Sequence, residues 1–115
     1  MNINEISLTY NVPVDCIQDF ENQGFFDEVK QINGKKIYEE KDIQKLSFLM
    51  TLKNVGMSIQ DMKKYIQYIS EGDSTLSQRI DMLTRYRQVL LEKAHTCYKS
   101  IDILDYFIYL MKTKQ

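Results

Sequence analysis

The last forty residues constrain this chain most. Leu76, Ile80, Leu83, Arg87, Leu90, Ala94, Cys97, Ile101, Leu104, Ile108 and Met111 follow one another at alternating spacings of four and three, and ten of these eleven positions are apolar. Placing Leu76, Leu83, Leu90, Cys97, Leu104 and Met111 at d leaves Ile80, Arg87, Ala94, Ile101 and Ile108 at a, which is a heptad seam carried over five repeats. A single helix of about 38 residues is roughly 57 Å long. It is too long to bury such a stripe against a folded unit of some seventy residues. The seam calls for a second helix, and the simplest second helix is its own copy.

Arg87 interrupts the seam and has two readings. Its stem can lie along the apolar stripe while the guanidinium reaches water, or it can fix register through a carboxylate of the other chain. Beyond the seam, Tyr98, Tyr106, Phe107 and Tyr109 occupy other faces of the same helix. They either pack beneath the rest of a partner or wall a small-molecule effector pocket.

The remainder reads as short helices and one hairpin. Ile3, Ile6 and Tyr10 recur at helical spacing, Asn11 suits a left-handed C-terminal turn, and Pro13 suits the start of a second helix over about 13–22. Val14, Ile17 and Phe20 give that helix its inner face, and Gly24 ends it. Two short helices across a tight turn are a helix-turn-helix signature. Asn33-Gly34 then signals a two-residue hairpin, because both central residues of such a turn take positive φ. Val29, Ile32 and Ile37 are the expected inward residues of its arms. Glu39, Glu40 and Asp42 suit the start of a third helix, with Ile43, Leu46, Leu49, Met50 and Leu52 inward and Gly56 as its stop. Ser58 to Asp61 resembles a capping box opening a fourth helix with Ile59, Met62, Ile66 and Ile69. Residues 71–74 read as a hinge, so the expected division is 1–73 and 74–115. The fold class is mainly α, a winged helix-turn-helix followed by a long dimerising coiled-coil helix.

Several function classes drop out. No Ser-His-Asp set, phosphate-binding glycine loop or HExxH pattern occurs, which leaves no basis for an enzyme. Cys16 and Cys97 lie in apolar-periodic contexts, and His95 and Cys97 are two residues apart, so neither cysteine has a ligand partner at workable spacing; no metal and no cofactor is expected. No apolar run reaches membrane-span length and the N-terminus lacks the order of a signal peptide, so a cytoplasmic protein is expected. Charge is uneven: residues 1–40 hold three lysines against eight acids, a net of −5, and no basic residue precedes Lys30.

Read together, the segments resemble the MerR family of bacterial transcription regulators. Ile3-Asn4-Glu5-Ile6-Ser7 stands where members begin I-x-E-L-A. VPVDCIQDFENQGFF, residues 12–26, stands for V-x-V-x-T-L-R-Y-Y-E-x-x-G-L-L. KQINGKKIY, residues 30–38, stands for R-x-x-N-G-Y-R-x-Y, and EKDIQKLSFLMTLKNVGMSIQDM, residues 40–62, for E-x-D-L-x-x-L-x-F-I-x-x-L-x-x-L-G-F-S-L-x-E-I. SIDILDYFIYLM is similar to the family's L-L-D-Y-K-I-x-x-Y end. The resemblance implies a homodimer joined by an antiparallel coiled coil, with helix two in the major groove of a pseudo-palindromic promoter site and the hairpin wing against phosphate. Partners would be duplex DNA, a second copy of the chain and RNA polymerase. On this basis Asp15, Gln18 and Asp19 of helix two, and Lys30, Asn33, Lys35, Lys36 and Tyr38 of the wing, are the DNA-facing residues. Gln18, Asp19 and Phe20 depart from the family's Arg-Tyr-Tyr: Gln18 can still read a base edge, but Asp19 sets a carboxylate where phosphate is expected. The second functional reading is therefore a MerR-like protein-interaction module that no longer binds DNA by itself. The chain ends shortly after the heptads, so no effector domain is expected, and Cys97 sits mid-helix rather than at the helix end where metal-sensing relatives hold cysteines.

Overall fold

The computed structural model describes residues 1–115 and comprises five helices and one small hairpin: α1 Ile3–Tyr10, α2 Val14–Asn22, β1 Gln31–Ile32, β2 Lys35–Lys36, α3 Glu40–Val55, α4 Ile59–Glu71, a 3₁₀ turn Asp73–Thr75 and α5 Leu76–Lys112. It divides into two units, Met1–Ser70 and Glu71–Gln115. The mainly helical fold with a two-stranded wing and a long last helix agrees with the reading from sequence.

In the first unit the element ends follow from local chemistry. The side chain of Asn2 accepts from the Glu5 N–H at 2.9 Å while the Asn2 N–H donates to the Glu5 carboxylate at 3.2 Å, a reciprocal cap that opens α1. Asn11 closes α1 at φ 54°. Gly56 closes α3 at φ 98°, with the Met57 N–H bonded back to the Leu52 carbonyl at 3.1 Å. The Asp61 N–H donates to the Ser58 hydroxyl at 3.1 Å and starts α4.

The core gathers one face from each element: Ile6 from α1, Ile17 and Phe20 from α2, Phe25, Phe26 and Val29 from the loop, Tyr38 after the hairpin, Leu46, Leu49 and Leu52 from α3, and Met57 and Met62 around the start of α4. The rings lock edge to face, Phe20 on Phe25 at 5.8 Å and Phe26 on Tyr38 at 5.2 Å. The Lys45 ammonium crosses from α3 to the Phe25 carbonyl at 2.6 Å and lies 5.6 Å from the Phe26 ring centre.

Ile32, expected inward, is exposed, as are two members of the helical periodicities. Tyr10 is 48% exposed, Ile32 49% and Ile69 42%. Tyr10 and Ile69 lie in the last turns of their helices. Ile32 sits on a strand of only two residues, paired with Lys35, where a hairpin this short has no opposing layer to cover it.

The second unit is α5 with its preceding turn. The Arg79 guanidinium donates to the Gly72 carbonyl at 3.0 Å and to the Thr75 hydroxyl at 3.2 Å, pinning the turn to the helix. At 37 residues, α5 is about 55 Å long. Its seam is open to solvent along its length: Leu76, Ile80, Leu83, Leu90, Ile101, Leu104, Ile108 and Met111 are all exposed, and Met82, off the seam, is its one buried residue.

Candidate nucleic-acid interface

Helix α2 presents its outward face by the same periodicity that buries Ile17 and Phe20. Asp15, Gln18, Asp19 and Asn22 are exposed along one side. Pro13 precedes the helix without a side-chain cap, and Asp15 in the first turn meets the positive end of the helix dipole. The Asp19 carboxylate makes no ion pair.

The wing is a tight reversal. Asn33 has φ 53° and Gly34 φ 79°, with Gln31 opposite Lys36 and Ile32 opposite Lys35. These are the paired positive φ values that the Asn-Gly dipeptide predicts. At its base the Ile37 N–H bonds the Lys30 carbonyl at 2.8 Å. Met1 pairs with Tyr38 in both directions: the Tyr38 N–H to the Met1 carbonyl at 2.7 Å, and the Met1 ammonium to the Tyr38 carbonyl at 2.8 Å. The chain start thus runs as a short extension beside the wing.

The candidate residues separate by exposure. Lys30, Asn33 and Lys35 are exposed, Lys36 is half-buried and Tyr38 is buried. The Lys36 ammonium donates to the Phe26 carbonyl at 3.0 Å and lies 3.9 Å from the Glu21 carboxylate. The Tyr38 hydroxyl is buried with no well-formed hydrogen bond. Burial first, then the nearby Glu21 carboxylate and the charge of Asp42, push the phenol well above its ordinary range. A notch of about 270 Å³ brings Gln18 and Glu21 of α2 together with Lys35, Lys36 and Tyr38 of the wing and with Asn2 and Asn4 of the chain start.

Asp19 does not line that notch; it borders a depression of about 520 Å³ with Cys16, Lys53, Met57 and Ile59. The Lys53 ammonium lies 3.4 Å from the Cys16 sulfur. Sequence reading missed Asn2, Asn4 and Lys53. The Asn2-x-x-Glu5 spacing of a capping box was a legible signal for the first; Lys53 has none, because its place beside α2 comes from the packing of α3. Cys16 is half-buried and Cys97 exposed.

On α5, Arg87 and Cys97 are exposed and Ala94 half-buried, in line with the exposed seam. Tyr98, Tyr106, Phe107 and Tyr109 are 54–66% exposed, and only Tyr106 and Phe107 approach one another, at 6.3 Å between ring centres. No helix is long and apolar enough to cross a membrane.

The sequence pattern of the MerR HTH family of regulatory proteins matches residues 1–69. The HTH-type transcriptional regulator AdhR of Bacillus subtilis (strain 168) is 30% identical over 93 residues, covering 80% of this chain and 66% of that protein. An uncharacterized HTH-type transcriptional regulator of Haemophilus influenzae is 30% identical over 73 residues, covering 64% of this chain and 54% of that one. The chain thus spans just under two thirds of the first relative and about half of the second. Among solved structures, a MerR family transcriptional regulator from Bacillus thuringiensis superimposes with a TM-score of 0.71 at 25% identity, covering 94% of this chain and 96% of that one. HiNmlR, a MerR family regulator lacking the sensor domain and bound to promoter DNA, has the same fold, with a TM-score of 0.72 at 21% identity over 97% of this chain and 90% of that one. With a family pattern matched across the whole of the helix-turn-helix and wing, the chain belongs to the MerR family of regulatory proteins.

Proposed function

We propose that this protein is a DNA-binding transcriptional regulator that works as a homodimer on a pseudo-palindromic promoter site. Each copy sets α2 in the major groove, with Gln18 toward base edges, and the wing against phosphate through Lys30, Asn33 and Lys35, with Lys36 and Tyr38 beneath. The two copies join along the α5 seam as an antiparallel coiled coil. RNA polymerase bound at the same promoter is the partner through which occupancy becomes regulation. Tyr98, Tyr106, Phe107 and Tyr109 are the proposed walls of an effector pocket completed by the second copy.

The observation that carries the reading is the exposed outer face of α2 standing beside a lysine-bearing wing, in a chain of this family. Phosphate neutralisation by such lysines supplies sequence-independent affinity, and the groove-facing side chains supply choice of site. One observation favours a second reading: Asp19 puts an unpaired carboxylate on the same face, within a segment of net charge −5. On that reading the unit binds a basic protein surface instead. Genomic footprinting of the tagged protein separates the two. Discrete protected sites with two-fold symmetry are expected; an absence of protected sites, with a protein retained on the tag, would replace the DNA reading with the second.

A further inference from the structure

Lys35 and Lys36 are neighbours on β2 and differ in burial and in partners. Lys35 is exposed beside the wing turn. The side chain of Lys36 keeps only 18% of its exposure and folds back onto the first unit, where its ammonium donates to the Phe26 carbonyl at 3.0 Å and lies 3.9 Å from the Glu21 carboxylate, itself 23% exposed. The two acceptors belong to different segments, Glu21 to α2 and Phe26 to the loop after it. Glu21 also lines the same notch as the buried Tyr38. One carboxylate of α2 thus pairs with Lys36 and stands in one notch with Tyr38.

The wing has little else to hold it. Its strands are two residues each and pair only with one another, and a lone hairpin of that size is at best marginal in water. The backbone bonds of Ile37 and Tyr38 anchor its base. Lys36 is the residue nearer the tip that ties it to the helix.

We propose that Lys36 is a positioning residue: it latches the wing onto α2 through Glu21 and the Phe26 carbonyl, and so sets where Lys35 and Asn33 stand relative to Gln18. Its charge is already engaged by two acceptors at a half-buried site. Turning it out to a phosphate strips the Phe26 carbonyl and Glu21 of their cation. The wing's counterion release on DNA comes from Lys35 and Lys30, and Lys36 fixes the geometry in which they act. Only the DNA arm of the test below rests on the DNA-binding reading.

The test compares Lys36→Gln, Lys36→Arg, Glu21→Gln and Lys35→Gln in the full chain, with circular dichroism confirming that each folds. Hydrogen exchange of the free protein is the first readout. Lys36→Gln and Glu21→Gln should each speed exchange of wing amides over residues 31–38 by several-fold, while Lys36→Arg and Lys35→Gln should not. Titration of a duplex at several salt concentrations is the second. Lys35→Gln should flatten the log–log salt slope by about 0.9, the signature of one lost phosphate contact. Lys36→Gln should weaken binding with the slope unchanged. Wing exchange in Lys36→Gln equal to the parent, or a slope lowered by about 0.9 in that variant, would overturn the latch. If the parent binds no duplex at low salt, the DNA reading fails and the exchange comparison alone decides the latch.

Discussion

At the scale of single residues, opposed charges on one surface make the sharpest predictions. Asp19 is exposed on α2 and unpaired. If α2 meets DNA, Asp19→Tyr removes a negative charge from that face and adds a hydroxyl donor, and should tighten DNA binding by about 1–2 kcal/mol. Fluorescence anisotropy against one duplex measures it, and equal affinity would mean that this face of α2 does not meet DNA. Tyr38 gives a prediction in pH. Its phenol ionises near 10.0 when unfolded and only at higher pH when folded, so above that value the unfolded chain has lost a proton that the folded chain keeps. Stability therefore falls as pH rises past about 10. Tyr38→Phe, which removes a buried hydroxyl lacking a well-formed bond, should cost about 1 kcal/mol or less at neutral pH. It should also shift base unfolding upward. Urea melts at pH 7 and pH 10.5 check both, and a base transition identical to the parent's would contradict the account.

At the scale of elements, the turns were the most legible part of the sequence and the wing's attachments the least. Asn11, Gly56 and Asn33-Gly34 take the left-handed conformations their residue types favour, because those conformations are a local property. The inner face of α2 was equally plain, since Ile17 and Phe20 repeat at helical spacing and both are buried. The Lys36 bond to Phe26, the Lys45 bond to Phe25 and the pairing of Met1 with Tyr38 join residues ten, twenty and thirty-seven positions apart. No local pattern announces such contacts. A lysine at a hairpin looks solvated until the fold brings an acceptor to it. The exposure of Ile32 has the same origin, for alternation implies an inside only where a second layer exists. The C-terminal turn of α3 tests the local half of this argument. An added Cβ at Gly56 meets nothing within 4 Å, so Gly56→Ala should pay only for backbone strain at φ 98°, about 1–2 kcal/mol. A urea melt reads the loss directly, and no loss would mean that the left-handed cap is not maintained in solution.

At the scale of the whole molecule, the exposed seam of α5 makes a prediction about assembly. Along the seam, Ile80 is 61% exposed, Ile101 50% and Leu104 59% in the single chain, and an exposed apolar stripe of this length favours association. The protein should be a dimer at micromolar concentration. Ile101→Lys combined with Leu104→Lys should give a folded monomer, because these side chains are exposed in the single chain and their replacement leaves the core of residues 1–70 intact. Light scattering in line with gel filtration checks both species. A monomeric parent, or a dimeric double variant, would remove the seam from the account.

The central claim, that two copies present α2 and the wing to symmetric duplex DNA, is tested most directly by selection from a pool of random duplexes with the purified full-length protein at low salt, followed by sequencing of the retained molecules. The predicted result is enrichment of an inverted repeat, two similar half-sites about a common centre, that is lost in the monomeric double variant. Retention of no duplex above background, or enrichment of a single unrepeated site unaffected by loss of the dimer, would contradict it.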